Sequence, residues 1–188
     1  MKNIGKQFEQ DFSKSIPDYA MLYRLPDSAQ SFGNSTALRF SRKSPFDFFL
    51  WDSKRRLLYA LENKTVEGKS ISFEREKNDN AVIHYHQIQG LNQYNKFEGV
   101  ICGFIIFFRE IETTVFLPIN SFNNIVIDSE KKSLNYSDIV GSGFEYIIIP
   151  QTKKRTRYTY DIESLLLKAS LIAKEDKNDE DRKQTESF

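Results

Sequence analysis

Three stretches of the chain repeat apolar residues at the spacing of an amphipathic helix. Phe8 and Phe12 lie one helical turn apart and predict a helix over residues 5–15. The same spacing predicts helices over residues 82–97 and over residues 162–169. We therefore expect helices near the start, in the middle and near the end of the chain.

Between these helices the apolar residues run in shorter blocks that are typical of buried strands. The blocks cover residues 46–51, 57–64, 100–108, 113–117 and 144–149. The longest apolar run has nine residues, whereas a helix needs roughly 20 to cross a bilayer. The order of helix, strands, helix, strands and helix predicts an α/β fold in which helices flank a mixed β-sheet.

Length and composition indicate one domain with two unusual segments. The chain has 188 residues, and we expect residues 1–173 to form a single domain. Residues 24–43 contain the turn-forming sequence PDSAQSFGNST, so we expect a segment that projects from the domain like a stalk. Residues 174–188 hold ten charges and one apolar residue, which predicts a disordered tail or a frayed helical extension.

Charge and cysteine content narrow the class of protein. The chain has 27 basic and 26 acidic residues, and this balance neither indicates nor excludes a nucleic-acid partner. Cys102 is the single cysteine, which excludes an intramolecular disulfide and a cysteine-cluster metal site and favours a reducing compartment. The first residues lack the apolar stretch of a signal peptide, so we expect a cytoplasmic protein that does not enter a membrane.

Asp47, Glu62 and Lys64 have the clearest catalytic potential. Glu62 and Lys64 lie two residues apart on a predicted strand and therefore leave the same face, and a hairpin would set Asp47 beside Glu62. Two close carboxylates repel each other unless a cation lies between them, and Mg²⁺ prefers carboxylate, water and phosphate oxygens. Lys64 could orient or deprotonate a water, or stabilise charge on a phosphate. The pattern predicts metal-assisted phosphodiester hydrolysis.

The same three residue types would also occur in a plain surface salt bridge on an edge strand. The residues around both carboxylates are apolar, which predicts that the carboxylates are partly buried. Charged groups are seldom buried without a partner or a metal. The apolar surroundings therefore favour the catalytic interpretation.

Five motifs follow one another along residues 3–170. They are Asn3-Ile4-Gly5-Lys6-Gln7-Phe8-Glu9, Ser44-Pro45-Phe46-Asp47, Leu61-Glu62-Asn63-Lys64 with Lys69-Ser70, His84-Tyr85-His86-Gln87-Ile88, and Tyr160-Asp161-Ile162. In this order they resemble the RecU-type Holliday junction resolvases, a family of the PD-(D/E)XK nuclease superfamily. The HxHQI motif is the most specific of the five, because ExK alone is a weak signal.

The resemblance implies a restriction-endonuclease-like core and a homodimeric endonuclease that cuts four-way DNA junctions symmetrically. Its cofactor would be Mg²⁺, with Mn²⁺ able to substitute. Asp47 and Glu62 would hold the metal, and Lys64 would act on the attacking water. Glu9 would add a carboxylate to the water shell of the metal, and Gln87 would orient water or phosphate.

Two positions differ from the family pattern. Ile4 stands where the family usually has an arginine, which would remove one contact with DNA or phosphate. The segment between the first helix and Asp47 is shorter and more polar than the stalk of the family.

His84 and His86 are the only histidines, and a role at the helix entry or facing DNA is favoured over a metal site.

Basic residues close to these motifs are candidates for contact with DNA phosphates, whose neutralisation dominates DNA affinity. The candidates are Arg24, Arg39, Arg42, Lys43, Lys69, Lys153, Lys154, Arg155 and Arg157. We expect branched DNA and a second copy of the chain as partners. Two alternatives stay open: a restriction-type or repair-type nuclease of the same superfamily that cuts duplex DNA, and a non-catalytic DNA-binding module with the same fold.

Overall fold

A computed structural model describes residues 3–26, 43–77, 80–127 and 130–185, with side chains as far as Lys174. In chain order its elements are α1 (Ile4–Lys14), β1 (Ala20–Arg24), β2 (Phe48–Asp52), β3 (Leu57–Val66), β4 (Ser70–Ser72), α2 (Tyr85–Tyr94), β5 (Val100–Phe108), β6 (Thr113–Pro118), α3 (Ile119–Ile127), β7 (Ser133–Asn135), α4 (Tyr136–Val140), β8 (Ile147–Ile149), β9 (Gln151–Lys154), β10 (Arg157–Tyr160) and α5 (Ile162–Thr185).

The central sheet has six strands in the order β1-β2-β3-β5-β6-β8. β3 and β5 run parallel, and the other neighbouring strands run antiparallel. Because parallel neighbours need a crossover, the chain passes through α2 between β3 and β5. The predicted α/β fold with a mixed sheet and flanking helices is confirmed.

Helices cover both faces of this sheet, so β5 is buried almost throughout. On one face, Ala60 and Phe104 pack with Leu91 of α2 and Phe122 of α3. On the other face, an aromatic and aliphatic cluster joins the sheet to α1 and α5; it includes Phe8, Phe12, Leu61, Phe107, Leu165 and Leu166. The core therefore consists of two apolar layers with the sheet between them. A chain of this size typically buries about two-thirds of the surface that its unfolded form exposes.

Three predicted elements are shorter than the sequence pattern indicated. β2 begins at Phe48 rather than at residue 46, and β8 begins at Ile147 rather than at residue 144. The middle helix begins at Tyr85 rather than at residue 82, because Ile83 forms a β-bridge with Phe73. His84 has extended backbone dihedrals and forms the N-cap of the helix.

Several elements have no counterpart in the sequence prediction. β1 is an edge strand on β2, and β9 and β10 form a separate two-stranded hairpin. α3 follows β6 directly, although its sequence INSFNNIVI is rich in the β-branched residues that favour strands. Burial of Ile119 and Phe122 against the sheet outweighs this local preference.

Two further predictions concern residues 174–188 and the projecting segment 24–43. α5 runs from Ile162 to Thr185 and so includes residues 174–185. Most of the projecting segment 24–43, namely residues 27–42, lies outside the described residues. Across the described part of the chain, no helix combines the length and the hydropathy needed to cross a membrane.

Candidate active site

Backbone hydrogen bonds hold Asp47 at the open end of the β2–β3 hairpin. The Asp47 amide donates to the Leu61 carbonyl at 3.1 Å, and the Leu25 amide donates to the Asp47 carbonyl at 2.8 Å. The Asn63 amide donates to Asp47 Oδ2 at 2.9 Å. These bonds flank Glu62 on both sides, so the register of the hairpin sets the Asp47 carboxylate beside Glu62.

Glu62 is 2% exposed and only partly satisfied. Its Oε1 lies 2.9 Å from the Lys64 ammonium and also accepts a hydrogen bond from Gln87 Nε2. Its Oε2 is buried and has no hydrogen-bond partner among the described residues. A buried carboxylate oxygen without a donor is costly, which makes Oε2 a natural ligand for a cation.

Burial disfavours the charged form of both carboxylates. It raises the pKa of Glu62 to about 8, although Lys64 lowers that pKa and Asp47 raises it further. It also raises the pKa of Asp47 to about 6, opposed by the Asn63 amide. Near neutral pH, Glu62 therefore favours its protonated form, and a cation at the site would favour the charged form of both carboxylates.

α2 approaches the hairpin closely enough for Gln87 to reach Glu62. A Cβ at Gly90 would lie 2.5 Å from Pro45 Cβ and 2.7 Å from the Pro45 carbonyl oxygen, so only glycine fits there. The Gln87 side chain is itself oriented, because the His84 amide donates to its Oε1 at 2.9 Å. Gly90 and His84 together fix Gln87 beside the two carboxylates.

Glu9 lies farther out than the other predicted site residues. It projects from α1, and its Oε2 accepts from Arg24 Nε at 3.2 Å. Its charge still raises the pKa of Asp47 and of Glu62. Within the described residues, no three or more His, Cys, Asp and Glu side chains form a group that could hold a metal ion.

A metal at this site would therefore take few ligands from the protein. Asp47 and the unpaired Glu62 Oε2 are the available carboxylate oxygens on the cleft. This donor set fits Mg²⁺, which commonly takes one or two carboxylates and completes its shell with water and phosphate oxygens. A cysteine or histidine ligand set would instead suit zinc.

The two carboxylates open onto a small cleft of about 230 Å³. The cleft is lined by Leu25, Lys43, Ser44, Phe46, Asp47, Glu62, His84, His86 and Gln87. Lys43 is thus the predicted DNA-contacting residue that shares the cleft with the carboxylates. Arg39 and Arg42 lie outside the described residues.

The other predicted DNA-contacting residues are partly engaged within the protein. Arg24 pairs with Glu9, and Lys69 lies 3.2 Å from Glu110. In the β9–β10 hairpin, Lys153 pairs with Glu112, and Arg157 Nε donates to Asp11 Oδ1. Lys154 and Arg155 are exposed at the end of the same hairpin. Within the basic sequence of residues 153–157, Lys153 and Arg157 are therefore already engaged by acids of the protein.

Sequence reasoning missed Glu74, which supports the entry of α2. Glu74 is buried, and its carboxylate accepts from His84 Nδ1 at 2.8 Å and from the Tyr85 amide at 2.7 Å. His86 stacks on His84 with ring centroids 5.6 Å apart and an interplanar angle of 16°. No local signal marks Glu74, because it stands in the charged sequence Phe-Glu-Arg-Glu-Lys.

The comparisons with known proteins identify a family. Residues 62–167 match the family of Recombination protein U (RecU). The chain is 31% identical to the SPbeta prophage-derived uncharacterized protein YotM of Bacillus subtilis (strain 168), with 94% of this chain and 91% of that protein covered. It is also similar to Hjc of Archaeoglobus fulgidus, a Holliday junction resolvase from an archaeal hyperthermophile. Identity is 15%, the TM-score is 0.43, and 72% of this chain and 92% of that chain are covered.

The match to RecU covers more than half of the chain and includes Glu62, Lys64, His84, His86 and Gln87. The chain therefore belongs to the RecU family.

Proposed function

We propose that this member of the RecU family is a metal-dependent endonuclease that resolves four-way DNA junctions by symmetric phosphodiester hydrolysis. The observation that carries the proposal is the pair of neighbouring carboxylates at the open end of the β2–β3 hairpin: Asp47 is half-buried, and Glu62 is buried with one oxygen that has no partner among the described residues. Such a pair is costly for a structural role alone and is suited to a site that binds a cation. Family membership directs this chemistry toward recombination DNA.

Asp47 and Glu62 would hold Mg²⁺, and Mn²⁺ would substitute because it also accepts carboxylate ligands. When bound, the metal would supply a Lewis acid for the phosphate and lower the pKa of a water. Lys64 lies against Glu62 Oε1 and is 14% exposed, so its charge is close to the cleft and only partly screened. It would stabilise negative charge on the phosphate or orient the attacking water.

Gln87 and Glu9 would assist from two sides. Gln87 donates to Glu62 through Nε2, which keeps the carboxylate in one rotamer and leaves the Gln87 amide beside the cleft. Glu9 would bind the outer water shell of the metal after exchanging its contact with Arg24. Arg24 would contact a DNA phosphate by exchanging contacts that it makes within the protein.

The remaining parts of the proposal concern the assembly and the substrate. Symmetric cleavage needs two equivalent sites, which a two-fold homodimer supplies. A four-way junction carries phosphates close to its branch, and we propose that Lys43 and the segment 24–43 contact them. A cytoplasmic location belongs to the same proposal, because the substrate is cellular DNA.

Cleavage of end-labelled DNA tests the proposal directly. A four-way junction and a linear duplex of the same sequence are incubated with the protein in Mg²⁺, in Mn²⁺ and in EDTA. We expect paired nicks at symmetric positions of the junction in either metal, and no product in EDTA. Light scattering on the same sample should give the mass of a dimer.

The alternatives give different results in this assay. Equal cleavage of junction and duplex would indicate a nuclease without junction selectivity. Binding of DNA without cleavage in either metal would indicate a non-catalytic module and would overturn the proposal. Cleavage that persists in EDTA would contradict the metal requirement.

A further inference from the structure

A chain of hydrogen bonds links a buried acid to the candidate active site. Glu74 accepts from His84 Nδ1, and the His84 amide donates to Gln87 Oε1. Gln87 Nε2 in turn donates to Glu62. Glu74 therefore fixes the position at which α2 enters the cleft, although its own side chain is absent from the cleft lining.

Backbone pairing makes this support rigid. The Glu74 amide donates to the Ile83 carbonyl at 2.8 Å, and the Ile83 amide donates to the Ser72 carbonyl at 2.9 Å. Both oxygens of the Glu74 carboxylate are used, one by His84 and the other by the Tyr85 amide. His84 thus has its ring held on one side by a buried carboxylate and its backbone held by Gln87.

His86 depends on this arrangement for its own orientation. Its ring lies on the His84 ring at an interplanar angle of 16°, and both rings line the cleft together with Lys43. An imidazole carries at least one N–H donor in either protonation state. A donor that lines the same cleft as Lys43 and the carboxylates of Asp47 and Glu62 is well placed for a phosphate oxygen.

We propose that His86 contacts the phosphodiester in the cleft by donating a hydrogen bond to a non-bridging oxygen, and that Glu74 positions it through His84. The inference rests on the proposed function, because it requires a phosphodiester at this site. It adds to that function a residue that touches the substrate and a second residue that acts at a distance from it.

Two substitutions of His86 separate a hydrogen-bonding role from a packing role. His86→Phe keeps a ring that can stack on His84 but has no N–H, whereas His86→Gln loses the ring and keeps an N–H donor. A hydrogen bond to a charged group corresponds to roughly 10- to 100-fold in rate. We expect single-turnover cleavage of a four-way junction by His86→Phe to fall by that factor, and His86→Gln to retain most of the wild-type rate.

The positioning role of Glu74 is tested by a double-mutant cycle. Glu74→Gln removes one of the two acceptor sites and should lower the cleavage rate in the wild-type background by several-fold. In the His86→Phe background its effect should be clearly smaller, because the part that acts through His86 is lost and only the part that acts through Gln87 remains. Glu76→Gln removes an exposed acid two residues away and serves as the matched control, with a rate equal to that of the wild type.

Each result decides a different question. Wild-type rates for His86→Phe, or a rate for His86→Gln no better than that of His86→Phe, would overturn the contact with phosphate. Additive effects of Glu74→Gln and His86→Phe would overturn the positioning role. Thermal melting confirms that each variant is folded. Failure of the wild type to cleave any DNA would overturn the proposed function, and this inference with it.

Discussion

The β2–β3 hairpin has a buried carboxylate at each end, and the two are treated differently by the protein. Asp52, at the turn, is fully buried, and its Oδ1 accepts from the amides of Lys54 and Arg55 at 3.0 and 3.2 Å. Its Oδ2 accepts from the Arg55 guanidinium at 2.7 Å. Glu62, at the open end, is buried almost as deeply, yet its Oε2 has no partner within the described residues.

The difference shows that burial of a carboxylate does not by itself mark a functional site. Asp52 closes a turn, because both of its carboxylate oxygens meet donors that the turn supplies. Glu62 lies next to a second carboxylate, Asp47, and away from backbone donors, so its folded environment favours the proton or a cation. The number of donors that reach the oxygens separates a structural acid from one that can bind a ligand.

The largest effect should come from Glu62→Gln. The substitution keeps the shape of the side chain and removes the charge that would hold a metal, so we expect junction cleavage to fall by about 10³-fold or more. Because burial already favours the uncharged form of Glu62, the free energy of unfolding in the absence of metal should change little near neutral pH. Single-turnover cleavage and urea unfolding measure the two quantities on the same sample. A variant that cleaves at the wild-type rate would contradict the assignment of Glu62.

Asp52→Ala should lower stability and leave cleavage unchanged, which is the opposite of the result expected for Glu62→Gln. The substitution removes the acceptor of the two amides and the guanidinium that donate to Asp52. We expect this loss to lower the free energy of unfolding by about 2–4 kcal/mol. Urea unfolding gives this value directly. Under conditions in which the variant is fully folded, it should cleave the junction at the wild-type rate. A specific loss of cleavage at unchanged stability would remove the contrast between the two acids.

The third expected effect, small within any one pH unit, is a pH dependence of stability in the absence of metal. The pKa of Glu62 rises from 4.5 to about 8 on folding, so the folded protein holds a proton that the unfolded chain releases. Its contribution to stability is present below about pH 4.5 and is lost as the pH rises toward 8. The slope should reach at most about 1.4 kcal/mol per pH unit.

Urea unfolding in EDTA between pH 5 and 8 checks this dependence. Glu62→Gln should remove the Glu62 part of the slope, and added Mg²⁺ should reduce it in the wild type because the cation favours the carboxylate. An identical slope in wild type and Glu62→Gln would show that Glu62 is ionised throughout this range.

Much of the fold could be predicted from local patterns. The strands at 57–64, 100–108 and 113–117 have the apolar sequences that are typical of strands in a buried sheet. The hairpin that joins Asp47 to Glu62 follows from two strands with a short turn between them. The start of α2 could not be predicted in the same way. Ile83 continues the helical pattern, but pairing with Phe73 holds it extended. Long-range backbone pairing outweighs a local period here.

For the site, the sequence alone placed Glu62 and Lys64 on one face of a strand, because side chains alternate in any strand. The expected hairpin added Asp47, and the family motifs added Gln87 and Glu9. Only the tertiary structure decided which oxygens have donors: among the described residues Glu62 Oε2 has none, both Asp52 oxygens have at least one, and Glu9 is paired with Arg24. It also brought in Glu74, which is distant from Glu62 in sequence. Donors and acceptors are assigned by packing between elements, and that information is absent from local sequence.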